Sequence, residues 1–229
     1  MKNIFVSSLL LILLSCNSGE KKSTGSSTQK DSSTTTNTNQ PADNTATHFA
    51  LGSFNKNNTP LKDSIKGKIN EGATWTDANG TFTVLLGQTE NIMKQDQQNQ
   101  RLYAYCFKQE GNSWKRQWLV QDKIENCDVD ATCEFFPGSL TVTDNDKNNI
   151  GEVTFLYKLS CKGDVSPDEK KLIMYEGGKK FAIRGSTILE YNNGKEGGDK
   201  KIDAAFNTAA KPLLDFANQQ WDKFGHTKY

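Results

Sequence analysis

Histidine is almost missing from this chain: among 229 residues there are two, His48 and His226. Imidazole is the usual base of a Ser-His or Cys-His nucleophile pair and a common zinc ligand, so both chemistries lack their ordinary partner. No G-x-S-x-G, no H-E-x-x-H and no G-x-x-x-x-G-K-[ST] occurs, which removes the nucleophile elbow, the zincin helix and the phosphate-binding loop. An excess of one charge is lacking too. Lys and Arg number 28, Asp and Glu 27, for a net charge of +1, and a general electrostatic grip on nucleic acid needs a basic excess or face. No nucleic-acid partner is expected. Apolar residues are sparse at 34%, with a mean hydropathy of −0.69, so part of the chain is not core. Long apolar runs are absent. The longest, Ile4 to Leu14, is interrupted by Ser7 and Ser8 and reaches about 16 Å of a ~30 Å hydrocarbon layer, too little to span it. The length is short for two full-sized domains and ample for one core.

The start of the chain reads as an address. A short positive beginning, Met1-Lys2-Asn3, precedes the apolar run, which ends in Leu13-Leu14-Ser15-Cys16. This is a signal-peptide pattern. The small residue before a cysteine, with leucines upstream, resembles the lipobox of bacterial lipoproteins. That resemblance implies a signal peptide over 1–15, cleavage before Cys16, and a diacylglyceryl, palmitate-bearing Cys16 as the membrane anchor. Two or more acyl chains hold a protein firmly, at about 0.8 kcal/mol per buried CH₂. Asn17 stands where an inner-membrane retention signal has aspartate, so the outer membrane is expected, on its periplasmic or its surface side. An ordinary secretory signal with a chance cysteine is the alternative. Residues 17–47 follow, with 14 Ser or Thr in 31 positions and no Val, Ile, Leu, Met or aromatic residue. A segment with so little to bury cannot offset its ordering entropy. The expectation is a disordered tether about 30 Å long, root-mean-square.

From residue 48 to 229 the pattern fits a single β-rich globular domain. Period-two alternation marks about eight strands: 74–76, 81–86, 101–108, 114–120, 139–143, 152–159, 171–176 and 181–189. Asn79-Gly80 and Gly177-Gly178 read as hairpin turns. Short connections favour antiparallel neighbours in a meander. Toward the C-terminus Ile202, Phe206, Ala209, Leu213, Phe216, Ala217, Trp221 and Phe224 recur at steps of three and four, one apolar stripe on a helix. Pro212 removes an interior N–H, which predicts a kink or split there. The fold class is therefore α+β: an antiparallel meander with a C-terminal amphipathic helix packed on the sheet.

Four cysteines remain after Cys16: Cys106, Cys127, Cys133 and Cys161. An even number in an exported protein suggests two disulfides, with three pairings open. Cys127 and Cys133 flank a short loop, which favours 127–133 and leaves 106–161. Zinc is the rival reading, without a C-x₂-C pair to support it.

The segment 144–152, Asp144 to Glu152, sets Asp144, Asp146, Asn148 and Glu152 at positions 1, 3, 5 and 9 of a loop between two strands. Hard oxygens at alternate positions suit Ca²⁺. The arrangement resembles the D-x-D-x-[DN]-G loops of integrin-type β-propeller repeats, with Asn149 in place of glycine. A metal-free Asx-turn hairpin is the alternative. No cofactor is required by the sequence, and Ca²⁺ is the one candidate.

Several stretches together resemble a group of Bacteroidota lipoproteins assigned to surface-polysaccharide biosynthesis. They are Trp75-Thr76-Asp77 with Gly80, Trp114 to Trp118 with Asp122, Asn126-Cys127, the 144–152 loop, Thr154 to Leu159, Ser160 to Pro167, and Ala182 to Gly185. The resemblance implies a part in making, binding or displaying surface glycan and brings no catalytic residues with it. Trp75, Trp114, Trp118 and Tyr103 are the candidates for stacking on sugar rings, against the alternative that they are core. A non-catalytic glycan-binding lipoprotein is the first expectation. A glycan-processing enzyme with a carboxylate pair, nominally Asp164 and Glu176, is the second. A protein-binding module, an inhibitor or adhesin, presenting a patch near the 127–133 loop, is the third.

Overall fold

The structure, a computed structural model, describes residues 65–229. The signal segment 1–15, Cys16 and the 17–47 tether lie outside the described residues. Among the described residues strands dominate, all but one pairing is antiparallel, and there is a single α-helix, as the alternation and the C-terminal stripe predict.

The first sheet is a meander of β1 (Lys68–Asp77), β2 (Gly80–Gln88), β3 (Ile92–Lys94), β4 (Gln97–Glu110) and β5 (Ser113–Cys127). Its order is β1-β2-β4, with β3 and β5 also pairing β4. The second sheet holds β6 (Asp130–Phe135), β7 (Thr141–Thr143), β8 (Glu152–Lys162), β9 (Glu169–Glu176), β10 (Lys179–Ser186) and β13 (Lys200–Ile202). Its order is β13-β10-β9-β8-β6, with β7 beside β8. A small third sheet joins β11 (Ile188–Tyr191), β12 (Gly194–Gly197) and β14 (His226–Lys228).

Two expected strands change on folding. Residues 181–189 divide into β10 and β11 at Thr187, whose backbone leaves the second sheet to bond Asp168 and Gly198. The 139–143 strand shortens to 141–143, because Ser139 is buried and exchanges hydrogen bonds with the backbone of Leu156. The hairpin turns fall close to where they are expected. Gly177 and Gly178, both at positive φ, connect the Glu176–Lys179 pair. In the first hairpin Ala78-Asn79 are central and Gly80 is the residue at positive φ.

Alternation along each strand divides the apolar residues into three layers. The main core lies between the sheets, with Trp75, Val84, Leu102 and Cys106 facing Phe155, Tyr157 and Ile173. The outer face of the first sheet carries Leu85, Tyr103, Tyr105 and Phe107, with Ile65, Ile69 and Trp114 packed on it. The far face of the second sheet is covered by the helix. Leu213, Phe216, Ala217 and Trp221 pack on Leu156, Leu172, Met174 and Phe181. Each such buried side chain contributes roughly 1.5–3 kcal/mol.

The apolar stripe of 202–224 is not one helix. Ile202 is in β13, Phe206 is in a 3₁₀ turn (Ala204–Thr208), and only α1 (Lys211–Lys223) is α-helical. Pro212 stands in the first turn of α1, where a missing N–H leaves no helical bond unmade. The break comes before it, at the extended residues Ala209 and Ala210. The C-terminal end of α1 is closed from the sheet. Lys170 on β9 is 1% exposed, and its ammonium donates to the carbonyls of Trp221 (3.1 Å) and Phe224 (2.9 Å). A cation there also opposes the negative end of the helix dipole.

The cysteines pair differently from the favoured expectation. Cys127 is bonded to Cys161, while Cys106 and Cys133 are buried thiols. Around Cys127 the chain reverses, through Asn126 at positive φ before it and 128–129 after it, so the start of β6 returns beside β8 with Ala131 opposite Cys161. Cys133 is one two-residue step further along β6, about 6.6 Å, and opposes Leu159. Cys106 sits mid-strand opposite Val84 and Trp118. Burial, aided by Asp77 for Cys106 and Asp122 for Cys133, pushes both thiols up to about 12, so neither is a reactive thiolate at neutral pH.

Candidate functional site

One end of the sandwich opens into a cleft of about 270 Å³ whose walls are aromatic. The β1–β2 register sets Trp75 opposite Phe82, and their rings stack at 5.3 Å. Phe82 in turn opposes Lys108 on β4, whose ammonium lies 5.8 Å from the ring centre. On the other side Trp118 of β5 stacks at 4.2 Å on Tyr175 of β9, bridging the two sheets. Trp75 and Tyr175 are buried, whereas Phe82 and Trp118 are half-buried. Gln117, Asn79 and Lys108 add polar groups to the lining.

The rim is tied together by Asp77. Its carboxylate accepts from the Trp75 indole N–H (3.0 Å), the Asn79 N–H (2.7 Å) and the Gly151 N–H (3.0 Å). Beside it Ala78 N–H donates to the Asn149 carbonyl at 2.9 Å. Four bonds thus hold the first hairpin, its tryptophan and the 144–151 loop in one arrangement. Position 151 must be glycine for this: a Cβ would stand 2.5 Å from Trp75 Nε1.

The 144–152 loop is compact and internally bonded. Asp144, Asp146 and Glu152 each bring a carboxylate oxygen within 4.8 Å of the others. Asp144 accepts the N–H groups of Asn148 (2.9 Å) and Asn149 (3.2 Å). Glu152, fully buried, accepts from the Thr143 hydroxyl (2.8 Å) and the Asn145 N–H (3.0 Å). Burial pushes the Glu152 carboxyl up to about 7, against those hydrogen bonds. Asn148 is turned to other tasks: its carbonyl oxygen accepts the Ile150 N–H (2.7 Å), and its amide donates to Asp146 and Glu176. Three of the four expected ligands, Asp144, Asp146 and Glu152, converge, and the Asn148 side chain is engaged by Ile150, Asp146 and Glu176. Asn149 adopts positive φ, as does Lys147, the left-handed conformation that asparagine tolerates better than most residues.

The sugar-stacking candidates separate. Trp75 and Trp118 line the cleft. Tyr103 and Trp114 belong to the layer on the outer face of the first sheet: Tyr103 sits on the outer phase of β4, and a bulge at Gln117 turns Trp114 to the face opposite Trp118 although the two are four residues apart. Phe82 and Tyr175 complete the aromatic walls without having been singled out in the sequence. Phe82 was legible as the hairpin partner of Trp75; Tyr175 had no local signal, since its stacking partner lies on another sheet. Asp164 and Glu176 do not form a pair. Glu176 ends β9 beside the cleft, whereas Asp164 follows β8 at the other end of the second sheet, bonded to the Ser166 hydroxyl. Near the 127–133 loop, Val129 and Val165 are 42% and 57% exposed. Compared with protein-family models, with curated proteins and with solved structures, the chain matches none.

Proposed function

We propose that this protein is a membrane-anchored bacterial lipoprotein whose β-rich domain binds surface polysaccharide, without catalysis, in the aromatic cleft. The observation that carries the reading is the pairing of Trp75–Phe82 and Trp118–Tyr175 around an opening with amide and ammonium groups in its lining. Sugar rings present C–H faces to aromatic rings and hydroxyls to such polar groups. The cleft lining contains one carboxylate, Asp77, already engaged by three donors, whereas glycosidase chemistry uses two, about 5–10 Å apart. Binding therefore fits the cleft better than hydrolysis. The address rests on the Leu13-Leu14-Ser15-Cys16 pattern, with Cys16 lipidated, the outer membrane as location and 17–47 as a tether.

The test is affinity electrophoresis of the detergent-solubilised protein through gels containing the polysaccharide of its own cells. Retardation is expected, and Trp118→Ala should weaken it about tenfold, ~1.4 kcal/mol, with its unfolding midpoint recorded alongside. Unretarded wild-type protein, together with an unchanged capsule and lipopolysaccharide in a deletion strain, would end this reading.

Calcium at the 144–152 loop is a second reading. It is favoured by the convergence of Asp144, Asp146 and Glu152. Titration calorimetry should show a dissociation constant of about 10⁻⁴–10⁻³ M, the range of extracellular calcium modules. Asp144→Asn should abolish the heat, and a flat wild-type trace at millimolar Ca²⁺ would refute the site.

A further inference from the structure

The same register that builds the cleft puts a lysine beside an aromatic wall residue on each side. Phe82 on β2 is directly opposite Lys108 on β4, and Tyr175 on β9 is directly opposite Lys180 on β10. Directly opposed residues of antiparallel strands point to the same face, with Cβ atoms about 4.5–5.5 Å apart. Each platform therefore has an ammonium at its flank. Among the described residues, neither Lys108 nor Lys180 has an ion-pair partner, whereas Lys171 and Arg184 on the same face are neutralised by Asp122 (2.7 Å) and Asp203 (3.3 Å).

The acids near the cleft are occupied. Asp77 accepts three protein donors. Asp146 and Glu176 both accept from the Asn148 amide, at 3.1 and 2.8 Å. The ammonium of Lys180 is held below its ordinary value, first by burial and next by the Arg184 charge, with Asp122 and Asp203 acting in the opposite sense. The cleft thus offers two aromatic surfaces and the Lys108 ammonium, and Lys180, outside the lining, stands beside the Tyr175 platform; among the described residues neither lysine is ion-paired.

We propose that the ligand is an acidic polysaccharide, its rings stacked on the aromatic walls and its carboxylates paired with Lys108 and Lys180. The inference rests on the glycan-binding reading and adds the chemical class of the glycan. Charge-assisted hydrogen bonds to a carboxylate are about twice as strong as neutral ones, and they weaken as salt rises.

The experiment uses the detergent-solubilised full chain and a panel of polygalacturonate, alginate and hyaluronate, each beside its carboxyl-reduced, neutral counterpart. At least one acidic polymer should bind at least tenfold more tightly than its neutral form, with the preference shrinking at high salt. The double substitution Lys108→Met/Lys180→Met should remove that preference, so that each acidic polymer binds no more tightly than its neutral counterpart. Equal affinity for acidic and neutral forms, or an acidic preference that survives the double substitution, would overturn this inference and leave glycan binding standing. No binding to any polymer, acidic or neutral, would also overturn this inference, while the glycan-binding reading falls only if the cells' own polysaccharide fails as well.

Discussion

Replacing Gly185 with alanine should cost the protein at least about 4 kcal/mol, the range reserved for a few drastic mechanisms. A Cβ at this position would stand 1.7 Å from the carbonyl oxygen of Asp199 and 2.5 Å from its carbon. Both are backbone atoms, so no side-chain rotation relieves the overlap. Gly185 pairs with Lys200 on one side and Lys170 on the other, and Ser186 binds the same connection through four hydrogen bonds to Gly198 and Asp199. Moving Asp199 therefore detaches β13. The loss extends to the 3₁₀ turn that begins two residues after β13, whose buried Phe206 packs on Phe181 with ring centroids 5.0 Å apart. Urea denaturation measures the effect directly. A midpoint shift worth less than about 1 kcal/mol would show that the β10–β13 contact yields far more easily than its geometry indicates.

The second large effect concerns the cross-link. Cys127 ends β5, in the first sheet, and Cys161 lies near the end of β8, in the second. Their bond closes a loop with a sequence separation of 34, and loop-closure entropy for that length is worth about 4 kcal/mol. The double substitution Cys127→Ser/Cys161→Ser should lower the unfolding free energy by about that amount, and by less if the serines hydrogen-bond each other. The same treatment of Cys106 and Cys133 should act through packing alone, since both are free and buried. Thiol titration of the native protein separates the two pairs. Cys106 and Cys133 should stay unreactive until denaturant is added, and labelling of Cys127 or Cys161 without reductant would contradict the assigned bond.

The elements that sequence reading recovers are those determined within a few neighbouring residues. Glycines at 80, 111 and 177–178 mark hairpin turns because only residues that accept positive φ can reverse a strand so tightly. Alternation from 101 to 108 identifies a strand, and the 213–221 stripe identifies the helix. The 144–152 loop is legible for the same reason: its hydrogen bonds run mainly among residues two to eight apart. Reading fails wherever the deciding partner is distant. The stripe from 202 to 224 has helical spacing throughout, yet Ile202 pairs with Ile183 as strand, because a free sheet edge offers its backbone better partners than an isolated first turn would. The cysteine pairing fails likewise, since the shortest loop is not the one whose ends meet.

By itself the sequence determines the class of the domain, its hairpins, its C-terminal helix and the convergent acids of one loop, because these follow from side-chain periodicity and local backbone preference. Only the tertiary structure decides which aromatic residues face the cleft. Trp75 and Trp118 lie on the inner faces of their strands, Tyr103 and Trp114 on the outer; a period of two does not say which phase a second sheet will cover, nor that a bulge at Gln117 turns Trp114 and Trp118, four residues apart, to opposite faces. The stacking of Trp118 on Tyr175, 57 positions apart in sequence, exists because two independently paired sheets pack face to face. It is that packing, driven by the burial of both inner faces, that turns scattered aromatics into a site.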